Sequence, residues 1–422
     1  MDRRSPTAID QFDGLATVVD LVRSGRARTR PELSSITMLG RTLISQRLEQ
    51  AMGLGLLEYG ETGPSSGGRA PRLLRFRSGS GLVLCATLGV SAMDVAVLDL
   101  GAEVLAHRHV EWPVSAGPQA TLERIGAEFD SLLAGFDPTA VWGIAVSVPG
   151  PVEFSTGRSS HPPIMPGWNG FDIRTPLQNR YEVPVWVDND VNLMALGELR
   201  SVPASAPSMI FLKVSTGVGA GIIVDGRVHR GAQGGAGDIG HAHVADSPAP
   251  VCRCGRTGCL EAVASGWSLV RDALTAVHEG RSRYLAALHA EQGELSPADI
   301  GRGVLQGDSW CSTAVAQAAG RVGDLMAVLV NFFNPHEIVL GGGVLTVGDM
   351  FANIIQQTVQ SRSLTLATQK LRVRPAELGD LGGVMGGAHL VADALLSPDA
   401  LAVWAAAGSP RKVAPDILSS YA

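Results

Sequence analysis

Residues 238–261 read DIGHAHVADSPAPVCRCGRTGCLE, and the spacing of histidines and cysteines in this stretch decides how the chain around it is read. Cys252, Cys254 and Cys259 crowd into one short segment, with His241 and His243 a loop upstream. Three thiolates and one imidazole make a closed tetrahedral shell of the type that holds a structural zinc ion. His241 is the fourth ligand in this reading, and His243, two residues on, is the alternative. The remaining cysteines, Cys85 and Cys311, stand alone, so the five indicate a metal site and not a disulfide framework.

Outward from this loop the texture is that of an α/β domain, with apolar strands, glycine turns and helices in succession. Leu82–Leu88, Val95–Leu100 and Glu103–His109 predict a three-strand meander. Val141–Val148 runs into Pro149-Gly150-Pro151, Val183–Val187 into Asp188-Asn189-Asp190, and Met209–Val214 into Ser215-Thr216-Gly217-Val218-Gly219-Ala220-Gly221. Ligand groups of open α/β sheets gather at the carboxyl ends of strands, and three strands here end in such groups. The glycine run can close its amides around a phosphate or ligand oxygen, or can be an ordinary hairpin; lacking Gly-Lys-Ser/Thr, it is not a Walker loop.

With 422 residues, 45% hydrophobic and 18% charged, the chain calls for two or three domains of ordinary globular composition. The start, MDRRSPTAIDQFDG, is too polar for a signal peptide, and apolar runs such as Met326–Phe333 fall short of the roughly 20 residues that span a bilayer. The expectation is a cytoplasmic protein with no membrane partner. The net charge of −6 is unevenly spread: residues 1–80 hold twelve Arg against eight acids, which is +4 and leaves −10 for the rest. A basic head on an acidic body suits a nucleic-acid-binding module on a domain that must not bind nucleic acid, although a solvated Arg-rich surface looks the same.

In that head, Leu15, Val18, Val19 and Val22 recur at helical spacing up to Ser24-Gly25. Thr29-Arg30-Pro31-Glu32 is a capping box with proline in the first turn, opening a short helix that points Leu33 and Ile36 inward. After a turn at Thr37–Gly40, a third helix over Arg41–Met52 buries Ile44, Leu48 and Met52 and shows Arg41, Thr42, Ser45, Gln46 and Arg47 on its other face. Those side chains can bond phosphates and base edges, which makes this the expected recognition helix. Gly55–Tyr59, a Gly/Ser tip at 63–68 and Pro71–Arg77 predict a hairpin wing that carries Arg69 and Arg72 to DNA.

The motifs resemble those of the ROK family of repressors and sugar kinases. In the head the match is Arg30, Glu32, Leu33, Thr37, Leu39, Arg41 and Ser45, then Ser65-Ser66-Gly67-Gly68-Arg69-Ala70-Pro71, with Gly40 where a serine cap is usual. In the body it is the zinc signature at His241 and Cys252–Cys259, the Asn189-Asp190-Val191-Asn192…Gly197-Glu198 motif, and Gly341-Gly342-Gly343 on the adenosine side. The resemblance implies a winged helix-turn-helix (α+β) over 1–78, then an α/β actin-like, ribonuclease H-like two-lobed sugar-kinase fold over 79–398; the tail over 399–422, with Ser409-Pro410-Arg411-Lys412, is expected to be a flexible terminus. It further implies a sugar held by Asn189, Asp190, Asp238, His241, Glu261, Gly150 and Asn169, with Asp190 in the general-base position. Trp168 reads equally as cleft lining or as core.

One departure bears on activity. Where the family's kinases open with D-x-G-G-T, this chain has Thr87-Leu88-Gly89-Val90-Ser91, so Thr87 replaces the metal-side aspartate and Val90 the second glycine. Phosphoryl transfer rests on charge neutralisation around the phosphates, so the expectation is a zinc-bearing regulator without ATP/Mg2+ chemistry. Its expected partners are double-stranded operator DNA, a sugar or sugar-phosphate effector, and a second or further copies in a homodimer or homotetramer. An active hexose kinase with a DNA-binding head, and a structural pseudokinase with a protein-binding head, are the rival readings.

Overall fold

A computed structural model describes residues 8–63, 72–202, 206–246, 248–343 and 349–421. The head opens with three helices, α1 (Ala8–Arg23), α2 (Arg30–Thr37) and α3 (Arg41–Gly53), followed by an antiparallel pair, β1 (Leu57–Thr62) and β2 (Arg72–Phe76). Thr29 caps α2 in a full capping box with Glu32, as its sequence predicts, whereas Gly40 gives α3 no side-chain cap. Met38, between them, takes a left-handed conformation (φ 57°) and is 86% exposed. The strand tip carrying Arg69 lies outside the described residues.

The body contains two five-stranded mixed sheets of identical plan. The first comprises β3 (Leu82–Leu88), β4 (Ala92–Asp99), β5 (Val104–Glu111), β6 (Val141–Val148) and β9 (Val185–Asn189), in the order β5-β4-β3-β6-β9. Helix α4 (Pro118–Leu133), a small hairpin of β7 (Val152–Glu153) and β8 (Arg158–Ser159), and α5 (Arg174–Tyr181) connect its strands. After α6 (Asp190–Ser201) the second sheet repeats the plan with β10 (Met209–Val214), β11 (Val218–Val224), β12 (Arg227–Val228), β13 (Glu337–Gly341) and β14 (Arg372–Pro375), ordered β12-β11-β10-β13-β14. In each sheet three antiparallel strands are extended by two parallel ones.

Helices α7 (Leu260–Ala264), α8 (Gly266–His278), α9 (Arg283–Gln292), α10 (Pro297–Leu305), α11 (Ser309–Phe333), α12 (Asp349–Arg362) and α13 (Thr365–Thr368) flank the second sheet. The run Met326–Phe333 is the end of α11, which is long and apolar enough to cross a membrane by composition; here Val315, Ala319, Val322, Met326 and Val330 fill the core beside the second sheet. Helix α14 (Gly382–Leu395) then returns to the first sheet and lies against α6. Their backbones meet directly: a Cβ on Gly386 would stand 1.8 Å from the Leu193 carbonyl oxygen, and one on Gly197 would stand 2.3 Å from that of Gly382.

Three expectations need correction. Arg47 is 8% exposed: it faces α1 beside Gly14, donates to Gln50 Oε1 (3.3 Å), and its Nε has no partner among the described residues. One turn of α3 therefore contributes its arginine to packing and leaves Arg41, Thr42 and Gln46 to solvent. Ile36 is 46% exposed, because α2 is a short helix and only Leu33 reaches the core. The segment after Ser397 is an ordered part of the fold, in which α15 (Pro398–Trp404) and α16 (Pro415–Ser419) pack on the first sheet and on α1. Its polar Ser409-Pro410-Arg411-Lys412 turn conceals that role: Arg411 donates to the Val141 carbonyl (3.0 Å), Ser419 Oγ accepts from the Val185 N–H (3.0 Å), and Trp186 Nε1 donates to the Tyr421 carbonyl (3.0 Å).

Trp404 is fully buried, edge-on to Trp142 (5.7 Å between centroids), with its Nε1–H on the Leu395 carbonyl (2.8 Å). Trp404→Ala is expected to lower the unfolding free energy by about 3–5 kcal/mol in a urea titration; a loss within about 0.5 kcal/mol would restore the flexible-tail reading. His389 of α14 is buried beside Ser201 (3.0 Å), and burial pushes its imidazole down to about 4 against the opposing pull of Asp393. Since the unfolded chain binds this proton near pH 6.5, the stabilising contribution is whole above that pH and is lost as pH falls to about 4. Stability measured across that window should fall by on the order of a few kcal/mol, and His389→Gln should flatten the slope.

Candidate functional site

At the carboxyl end of β9, Asn189 caps α6: its Oδ1 accepts from the Val191 N–H (2.9 Å) and its Nδ2 donates to the Gly150 carbonyl (3.1 Å). Gly150 and Asn189, read as one cluster from sequence, are thus in contact. Asp190 is buried at the first turn, with Oδ1 on the Val191 N–H (2.9 Å) and Oδ2 on Lys213 Nζ (2.5 Å). Lys213 comes from β10 of the other sheet, so this ion pair crosses from one lobe to the other; sequence reasoning missed it because nothing in a lone strand lysine announces its partner. Beneath them Asp188 accepts from Asn192 Nδ2 (2.8 Å) and from Arg230 Nε (2.8 Å), and Arg230 stacks on Phe154. Glu198, the last residue of the motif, is spent on structure: it takes Arg374 (2.8 Å) and the N–H groups of Glu377 and Leu378.

The glycine run forms the β10–β11 turn, and Glu261, first turn of α7, points into it. Its Oε2 accepts from the Val218 N–H (3.3 Å), at a place where a Cβ on Gly217 would stand 2.6 Å from the same oxygen. Its Oε1 takes Arg253 Nη2 (3.1 Å), which also donates to the Thr216 carbonyl, while the guanidinium lies over Trp267. Arg253, between two cysteines, was likewise not read from the sequence. Asn169 is exposed on the loop after β8, with Oδ1 on the His161 N–H (2.9 Å), and Trp168 is core, its Nε1–H on the Val114 carbonyl (3.1 Å). Asp238 is half-exposed, 4.0 Å from His241 Nε2.

His241, Cys252, Cys254 and Cys259 place one donor atom each within 4.8 Å of one another. His241 Nδ1 lies 3.6 Å from Cys252 Sγ, and Cys254 Sγ lies 3.8 Å from Cys259 Sγ. With Zn–S of about 2.3 Å and Zn–N of about 2.0 Å, a regular tetrahedron has edges of about 3.8 Å between sulfurs and about 3.5 Å between sulfur and nitrogen. The donor set therefore fits zinc. His243 turns away, with Nδ1 toward the Thr257 carbonyl (3.2 Å) and Nε2 toward Asp246 (3.6 Å), so His241 is the histidine of the cluster. Burial raises the Cys254 thiol, but hydrogen bonds from Arg256 and the neighbouring thiols outweigh it and bring it down to about 7, ready to ligate as thiolate. When bound, the ion supplies no open position for chemistry; it would fix the loop that carries Arg253 and Glu261.

Thr87 closes β3 against α14, where a Cβ on Gly383 would stand 2.7 Å from its Oγ1. The hydroxyl is buried without a partner among the described residues. On the head, Arg41, Thr42 and Gln46 are exposed together on α3. Ser45 receives Arg30 Nη1 (3.5 Å), Arg30 Nη2 donates to Tyr59 Oη (2.5 Å), and Arg72 stacks on the same ring (4.9 Å). Tyr59 thereby ties α2, α3 and the strand pair together and sets two arginines on one face, an arrangement only the folded head reveals.

The ROK family sequence profile matches residues 83–394. A glucokinase of Halalkalibacterium halodurans is 32% identical over 307 residues, 72% of this chain and 93% of its own length. A xylose repressor of Caldicellulosiruptor bescii is 27% identical over 395 residues, 93% of this chain and 98% of its own. Among solved structures, a ROK family transcriptional regulator, a homologue of the Escherichia coli Mlc protein, aligns with a TM-score of 0.78 at 26% identity, covering 92% of this chain and 97% of the other. The glucokinase match leaves more than a quarter of this chain uncovered, whereas the repressor and regulator matches are too extensive to omit the head.

Purified protein should carry close to one zinc per chain by elemental analysis, and Cys254→Ser or His241→Ala should reduce this to near zero, whereas His243→Ala should leave it unchanged. Loss on the His243 variant instead would reverse the ligand choice.

Proposed function

The chain belongs to the ROK family, and from that premise we propose that it is a sugar-responsive transcriptional repressor of carbohydrate genes, working in the cytoplasm as a homodimer or homotetramer. In this reading residues 1–78 are a winged helix-turn-helix. Helix α3 enters a major groove with Arg41, Thr42, Ser45 and Gln46, Arg69 and Arg72 of the wing reach the backbone or minor groove, and Arg47 serves the fold. The observation that carries the proposal is the exposed polar face of α3 on a basic head, joined to a body that retains Asn189, Asp190 and Glu261 but has Thr87 where the kinases carry an aspartate.

The effector is a sugar or sugar-phosphate, bound by Asn189, Asp190, Asp238, His241, Glu261, Gly150 and Asn169. Asn189 meets Gly150 and precedes Asp190 at the end of β9, Glu261 points into the β10–β11 turn, and carboxylates and amides of this kind suit the paired hydroxyls of a sugar. Structural zinc on His241, Cys252, Cys254 and Cys259 holds that loop.

Kinase activity is the second reading, favoured by the glucokinase relative and by the retention of Asp190. Three features stand against it. Thr87 offers a hydroxyl where a metal-side carboxylate is needed, Val90 crowds the turn, and Lys213 sits on the Asp190 carboxylate at 2.5 Å, which opposes its taking a proton from a hydroxyl.

The deciding experiment is fluorescence anisotropy of the full chain on DNA from its own upstream region, across salt concentrations, with and without a panel of sugars. Sequence-selective binding that one sugar shifts is expected, with Arg41→Ala and Gln46→Ala each costing about 1–3 kcal/mol of operator affinity. Salt-labile, sequence-blind binding with no sugar response, together with turnover in an ATP-coupled hexokinase assay, would transfer the proposal to the kinase.

A further inference from the structure

Helix α6 begins at the proposed sugar site and ends against α14, whose Asp393 the head also reaches. Its first turn holds Asn189 and Asp190; its last turn holds Arg200 and Ser201. Arg200 Nη2 donates to Asp393 Oδ2 (2.8 Å), and Ser201 Oγ meets His389 Nε2 (3.0 Å), both partners lying on α14. The other oxygen of the same carboxylate, Asp393 Oδ1, receives Arg23 Nη2 from the last turn of α1 in the head. One carboxylate is thus shared between the cleft helix and the head.

Burial alone would raise the Asp393 carboxyl, yet Arg23 and Arg200 hold it down to about 2, so it is charged at every physiological pH. Helices α6 and α14 meet by backbone at Gly197, Gly382 and Gly386, with no side-chain layer between them to slide. A Cβ on Gly221 of β11 would likewise stand 2.6 Å from the Val191 carbonyl oxygen, so the second sheet bears directly on α6. Besides two hydrogen bonds at the junction, Ser80 Oγ to the Gly55 carbonyl (2.5 Å) and the Leu100 N–H to the Ser78 carbonyl (3.0 Å), the head meets the body through an apolar contact of α1 with α15 and the first sheet, and apolar surfaces are non-directional. The charged contact has a single geometry.

We infer that Asp393, gripped by Arg23 and oriented by Arg200, is the positioning residue through which occupancy of the cleft sets the angle of the DNA-binding head; this rests on the sugar-responsive function proposed above. A ligand hydroxyl that takes the place of Lys213 on Asp190 releases the tie between α6 and β10. The second sheet is then free to adjust to the ligand, the backbone contact at Gly221 carries that adjustment into the α6–α14 pair, and Arg23 carries it to the head. Neither Arg23 nor Asp393 touches the cleft or the DNA-facing surface, so the relay is separable from both binding events.

The test uses the full zinc-loaded chain, its operator, and the sugar that shifts wild-type binding. Wild type should show a ratio of operator affinities, with and without sugar, of about 5- to 150-fold. Arg23→Gln, which leaves Asp393 paired with Arg200, should bring that ratio to within about twofold of one. Its sugar affinity, measured by calorimetry, and its sugar-free operator affinity should stay near wild type; Arg23→Lys should restore most of the response. Should Arg23→Gln fold poorly, Arg200→Gln is the second variant, expected to reduce the ratio in the same way. A ratio unchanged in the folded variants overturns the relay while the repressor reading stands. Loss of operator affinity with the ratio preserved also overturns it, marking Arg23 as merely structural. A wild-type protein that binds sugar and DNA with no mutual effect overturns both.

Discussion

Everything in this molecule is organised around one helix that is touched by backbone on two sides. Gly221 brings β11 against α6, and Gly382 and Gly386 bring α14 against its opposite flank, at separations that leave no room for a Cβ. Bare backbone contact of this kind transmits displacement without the slack that side-chain packing allows. Asp190 is presented from the amino end of this helix, where the free N–H groups favour a carboxylate. The link to the head leaves from its carboxyl end. Two sheets of the same plan thus meet on a common strut, and each functional part of the chain is defined by its place along that strut.

How much of this was legible beforehand follows from how local each signal is. The α2 capping box, the strand Met209–Val214, the cysteine spacing and the Asn189-Asp190 turn are written in contiguous residues, and each is found where its chemistry predicts. Arg47 was misread because a helical wheel gives a face only to within a residue, and α1 happens to cover one more position of α3 than the apolar stripe requires. Ile36 was misread for the reverse reason: α2 is too short to bury two turns. The tail defeated composition because few of its residues carry the packing, chiefly Trp404 and Leu418, and they are spread through polar turns. Lys213 and Arg253 were invisible for a different reason. Each is ordinary in its own element and acquires meaning only from a carboxylate on another one, 23 and 8 residues away.

These two cations also change how the cleft is understood. A site lined by bare carboxylates repels itself and must wait for a ligand or metal; here Asp188, Asp190 and Glu261 each already have a basic partner. Ligand entry is therefore an exchange of partners, and its energetic effect is felt at whichever cation is displaced. That property suits a receptor, whose task is to convert occupancy into rearrangement, better than a catalyst, which needs its base free.

The apolar cluster that joins the head to the first sheet draws on Leu15 and Val18 near one end of the sequence and on Trp404 and Leu418 near the other. The seat of the head is therefore built from segments far apart in the sequence. Without α15 and α16, the face of α1 that carries Leu15 and Val18 would stand uncovered, so a copy cut before Pro398 would expose apolar surface of the kind that drives non-specific association.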